Sequence, residues 1–137
     1  MTMSVTPELE IVGTPPDLKG RICEGFICEG YEFEGETAAS ANVTYLKFDG
    51  AWYRLYFEPH MVFWREWNEQ PKPWEVEEES WNYPHVDVGA GAGVVGVRLG
   101  SYEMSATFEG SKVLFRFENG TQIVIEDKNE VASYAVI

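Results

Sequence analysis

The feature that most limits what this chain can fold into is residues 45–67, YLKFDGAWYRLYFEPHMVFWREW. Thr44, Leu46 and Phe48 alternate with Tyr45 and Lys47, the period of two of a strand with one buried face. Asp49-Gly50 follows, a pair that tolerates the positive φ angles of a tight hairpin. The chain returns through residues 52–57 with Tyr53, Leu55 and Phe57 on one side, and Glu58-Pro59 ends that run, because proline has no N–H to give a ladder. A third run, residues 61–65, is made of residue types that suit a pleated, half-buried surface. Three strands in a meander are predicted.

The pattern recurs near the C-terminus. Residues 112–118 (KVLFRFE) lead into Asn119-Gly120, the strongest short-range hairpin signal. Two more runs follow, residues 122–125 and 131–137, separated by a polar gap. Leu18-Lys19-Gly20-Arg21-Ile22 also echoes Val95-Gly96-Val97-Arg98-Leu99. Two readings are open: similar halves at about 18–67 and 94–137, joined by a Pro/Glu/Gly-rich connection over 68–93, or the hairpin rhythm any all-β chain shows. Either way, residues 1–137 read as one mainly β domain, antiparallel meander sheets forming a small barrel or sandwich with little helix.

Elsewhere the chain is punctuated rather than periodic. Residues 8–12 suit an edge strand; residues 18–33 alternate loosely around Gly20, Gly25 and Gly30, suggesting bends or bulges. Thr37 to Ala41 reads as a small-residue loop or at most one helical turn. Prolines at 71, 73 and 84 exclude a long regular element there. Gly91, Gly93 and Gly96 match the spacing of a dinucleotide-binding turn, but that motif needs a following helix to hold the pyrophosphate. Tyr102, Met104, Ala106 and Phe108 alternate with polar residues instead. The glycines are expected to form a flexible crossover.

Charge excludes some partners. The chain holds 23 acidic and 10 basic residues, a net charge of −13, which disfavours nucleic acids and anionic membranes. It suits a basic protein partner, or serves solubility alone. The N-terminus has neither a basic region nor an apolar stretch, so a cytoplasmic location is expected, with Cys23 and Cys28 reduced. Two cysteines with no histidine beside them make a poor zinc site. His85 and Asp87 supply only two ligands, and no third is evident. Neither a nucleophile elbow nor a defined carboxylate pair is legible, so no enzyme activity, metal or cofactor is expected.

Trp52, Trp64, Trp67, Trp74 and Trp81 fall within thirty residues. Trp74 and Trp81 flank Glu75, Glu77, Glu78 and Glu79 in the proline-bounded stretch. With Trp67, these make a predicted partner-binding surface: aromatic anchors at the centre and charge at the rim. An alternative is a barrel carrying a small apolar ligand, with Trp52, Tyr53, Phe57, Phe63 and Phe117 lining its pocket. The aromatic surplus is also compatible with a homodimer.

Leu114, Phe117, Gly120 and Ile125, the closing Ser133-Tyr134-Ala135-Val136-Ile137 and the overall acidity give the last third of the chain a further character. It resembles the small acidic bacterial immunity proteins of polymorphic or contact-dependent toxin systems. The resemblance implies a cytoplasmic inhibitor that blocks a basic toxin, commonly a nuclease, with carboxylates.

Overall fold

The alternation over residues 44–65 becomes three strands in unbroken antiparallel register: β3 (Glu36–Phe48), β4 (Ala51–Glu58) and β5 (Met61–Trp67). The computed structural model describes residues 8–76 and 80–137. Asp49 and Gly50 both take positive φ, 50° and 77°, the geometry of a two-residue hairpin turn matched to strand twist. Upstream lie β1 (Glu10–Val12) and β2 (Cys23–Phe33); downstream come the short strands β6 (Trp74–Val76), β7 (Trp81–Tyr83) and β8 (His85–Asp87). Together they form an eight-stranded sheet in the order β1-β5-β4-β3-β2-β7-β6, with β8 also on β2. β1 is an edge strand, parallel to β5. Register shifts interrupt the β2–β3 pairing near Gly25 and Gly30, as the glycine punctuation predicts.

A second, four-stranded sheet, β12-β11-β10-β9, comprises β9 (Leu99–Ala106), β10 (Gly110–Phe117), β11 (Gln122–Lys128) and β12 (Val131–Val136). The two sheets face one another across one apolar core. Phe26, Leu46, Leu55, Val62 and Trp64 enter from the large sheet; Val113, Phe115, Ile123 and Ile125 enter from the small one. Phe26 meets Phe115 edge-on, centroids 5.2 Å apart at 87°, the arrangement that sets a ring's positive edge on its neighbour's negative face. The fold is thus a sandwich of antiparallel and mixed sheets. Among the described residues no helix is long and apolar enough to cross a membrane.

Two local expectations are corrected. Thr37 to Ala41 is not a loop but the first half of β3. Ala39 and Ala41 are buried, and the Ser40 hydroxyl accepts the Tyr134 N–H of β12 at 3.4 Å; small side chains let the second sheet come this close. The glycine-rich crossover does join the sheets, but as a structured turn. Its residues form α1 (Val88–Ala92), with the Asp87 carboxylate accepting the Ala90 N–H at 3.0 Å and Gly93 ending it in the left-handed region. A capped start and a glycine stop define this single turn.

One buried polar pair in the core face is unfavourable. Ser111 and Asp127 stand opposite one another on β10 and β11, both buried. Ser111 Oγ and Asp127 Oδ2 lack hydrogen-bond partners among the described residues. Burial, and then the nearby Glu130 carboxylate, push the Asp127 carboxyl above its ordinary range, against the opposing pull of His60. A carboxyl whose folded pKa is raised costs nothing below its unfolded range, and its penalty grows as pH rises through the folded value. Asp127→Asn is therefore expected to stabilise the fold at pH 7. Urea midpoints at pH 7 and pH 4 check this: the gain should shrink at the lower pH, and an equal gain at both would refute the assignment.

Candidate functional site

The proline-bounded stretch contributes only three-residue strands, and aromatic stacking gives them their order. β6 and β7 pair antiparallel with Trp74 opposite Tyr83, and β7 continues onto the end of β2 with Trp81 opposite Phe33. Side chains two apart on a strand share a face, so Tyr31 and Phe33 line up with Trp81 and Tyr83. The result is a ladder of five rings. Trp74 stacks on Tyr83 at 3.8 Å and 5°; Tyr83 meets Tyr31 at 5.5 Å, Tyr31 stacks on Trp81 at 4.7 Å, and Trp81 meets Phe33 at 4.2 Å. Such pairs contribute about 0.5–1.5 kcal/mol each beyond burial, enough to hold strands that backbone pairing alone would leave marginal.

Both ends of the ladder meet solvent. Trp74 is 51% exposed and Phe33 is 40% exposed. Glu36 stands opposite Phe33 in the β2–β3 register, and Glu32 and Glu34 flank Phe33 in the chain. A shallow cleft of about 440 Å³ lies at the Trp74 end, lined by Glu32, Pro73, Trp74, Asn82, Tyr83 and Pro84. The surface is an apolar strip with a carboxylate rim.

No family model, curated protein or solved structure matches this chain. Its function is therefore read from this geometry.

Of the predicted surface, Trp74 and Trp81 come together in the ladder. Trp67 does not; it ends β5, opposite Trp52 and 4.9 Å from the Arg54 guanidinium. Glu75 lies on β6, across from Asn82. Glu77, Glu78 and Glu79 fall outside the described residues. Tyr31, Phe33 and Tyr83, missed in the sequence, complete the ladder. Their available signal was the paired spacing, Tyr31-x-Phe33 and Trp81-x-Tyr83, which puts two rings on one face of each strand.

The residues predicted to line an apolar pocket divide between two faces of the large sheet and the core. Tyr53 and Phe57 point inward and pack on the core, and Phe117 is buried 6.5 Å from Phe26. Trp52 and Phe63 point outward, Trp52 beneath Lys47 and Phe63 stacked on Tyr56 at 4.8 Å. They do not share a cavity. The cysteines are protected from chemistry: burial pushes the Cys23 thiol up to about 11 and the Cys28 thiol to about 12, so neither offers a thiolate at neutral pH. His85 and Asp87 are both engaged locally, His85 on Glu29 at 2.8 Å and Asp87 as the cap of α1.

Proposed function

We propose that this protein is a non-enzymatic binding module whose aromatic ladder docks on a basic protein. The observation behind this reading is the pair of solvent-exposed ladder ends, Trp74 and Phe33, beside the carboxylates of Glu32, Glu34 and Glu36. Large rings fixed by stacking lose little side-chain entropy on binding and make effective anchors. Rim carboxylates on a chain of net charge −13 would steer a cationic partner and set the association rate. The resemblance to immunity proteins makes a basic toxin the partner class to seek first.

The test starts with capture from the source cells at low salt and identification of what salt elutes. Association kinetics with that purified protein then decide. The association rate should fall steeply between low and physiological salt, and the triple variant E32Q/E34Q/E36Q should flatten that dependence. Trp74→Ala should raise Kd about tenfold or more, chiefly through faster dissociation. Salt-independent association, or an unchanged Kd for Trp74→Ala, would overturn the reading.

A further inference from the structure

Two grooves border Trp74, and they differ in charge. The one beside β5 carries Arg54 and Lys72 in its lining together with Glu29 and Glu69. The other is the cleft of about 440 Å³ at the end of the ladder. Its lining combines the Glu32 carboxylate, the Asn82 amide, the rings of Trp74 and Tyr83, and Pro73 and Pro84. Among the described residues no cation lines it. Its volume lies within the ~300–1,000 Å³ range of ligand-binding clefts.

Strand register sets the chemistry of this lining. Glu32 on β2 stands opposite Asn82 on β7, and Trp74 on β6 stands opposite Tyr83 on β7. Cross-strand neighbours have their Cβ atoms about 5 Å apart, so the carboxylate and the amide oxygen can both accept from one multi-donor group. Neither the Glu32 nor the Asn82 side chain has a hydrogen-bond or ion-pair partner among the described residues. Both are partly exposed, so a guest can reach them. The aromatic wall is fixed: Trp74, 51% exposed, stacks on Tyr83 at 3.8 Å and 5°. Pro73 precedes Trp74 and Pro84 follows Tyr83, so a locked φ stiffens the chain on each side of the stacked pair.

We propose that this cleft receives an arginine side chain of the basic partner, its guanidinium lying against Trp74 and donating to the Glu32 carboxylate and the Asn82 side-chain oxygen. The inference rests on the docking reading above and specifies what the partner presents. Charge complementarity selects a cation, because a carboxylate lines the cleft and no described cation opposes it. The shape and donors of the guest then favour arginine over lysine. A guanidinium is flat, stacks on aromatic faces, and serves two acceptors at once through its fork of N–H groups. A lysine ammonium is compact and strongly hydrated, and in a shallow cleft it keeps its water. The apolar stem of the arginine packs along the two prolines while its head meets the polar pair.

The test titrates the full ¹⁵N-labelled chain with N-acetyl-arginine methylamide and, separately, N-acetyl-lysine methylamide at constant ionic strength. Trp74→Phe assigns the Trp74 indole resonance. The arginine probe should shift that resonance and the Asn82 side-chain amide saturably, leave the Trp52 and Trp64 indoles in place, and bind at least about fivefold more tightly than the lysine probe. Glu32→Gln, a change at a partly exposed side chain, should weaken arginine binding about tenfold. Asn82→Val, which suits a strand but has no oxygen to offer, should weaken it several-fold. A Trp74 resonance that does not saturate with arginine, equal affinity for lysine, or unchanged affinity in both variants overturns the proposal. The probes need no partner protein, so such a failure removes the arginine assignment alone, whereas failure of the docking reading shows in the association kinetics with the captured protein.

Discussion

Replacing Trp64 with alanine is expected to lower the unfolding free energy by about 3–5 kcal/mol, a large share of the ~5–15 kcal/mol that holds a typical domain folded. Trp64 lies on the inward face of β5 and is almost fully buried. Its indole N–H reaches Met104 Sδ at 3.1 Å, and its ring meets Tyr102 edge-on at 5.6 Å. Both partners belong to β9 of the other sheet, so one side chain ties the two layers together. Alanine would leave a cavity between two sheets that cannot close without moving as whole bodies, so little of the loss would be recovered by relaxation. Trp64→Phe should cost roughly half as much, since most of the ring remains and only the N–H contact and part of the volume are lost. Urea unfolding followed by near-UV circular dichroism would measure both. A cost below about 1 kcal/mol for alanine would mean the site collapses freely, and would contradict a bridging role.

Gly110→Ala is expected to be comparably severe, by a different route. A Cβ placed on Gly110 would lie 2.0 Å from the Asp127 carbonyl oxygen and 2.8 Å from its carbon. Backbone, not a flexible side chain, occupies that space. β10 and β11 pair at this point, with Gly110 opposite Lys128, so relief requires the strands to separate where they begin. The expected cost is about 3 kcal/mol or more, seen as a lowered unfolding midpoint and faster amide exchange at the start of the ladder. Gly91→Ala is the control: it sits in α1 with nothing within 4 Å of its added Cβ, and should be neutral or stabilising by about 0.5–1 kcal/mol. If both substitutions were equally harmless, the close strand contact at Gly110 would be wrong.

What was legible in the sequence was local. The alternation from Thr44 to Arg65 and the turn pairs Asp49-Gly50 and Asn119-Gly120 specify neighbouring strands, because each partner lies a few residues away. Where the partner is remote, the sequence offers less. Ala39 and Ala41 have no strand propensity of their own, yet become strand by pairing with β2 and lying beneath β12; their smallness reads as a loop and acts as clearance. α1 has five residues and no amphipathic period, so only its caps could announce it. The candidate surface was half legible. Trp74 and Trp81 stood out by their size beside a run of glutamates, but Tyr31, which joins Trp81 to Tyr83, comes from β2, fifty residues before Trp81 in the chain. Phe117 has the character of a ligand-pocket residue, and only three-dimensional packing reveals it as core.

The position of β2 has a consequence for how the chain comes to be made. One flank of β2 meets β3 at once, through a hairpin; the other is covered by β7 and β8, which begin only at Trp81 and His85, long after β2 ends at Phe33. Pairings so distant in sequence form late. Until then, a growing chain exposes a bare strand edge, the template on which two nascent copies could add to one another. Glu24, Glu29 and Glu32 are spaced along that strand, and like charges on two such edges repel each other. These charges are expected to keep sister chains apart during the interval when β2 waits for its second neighbour.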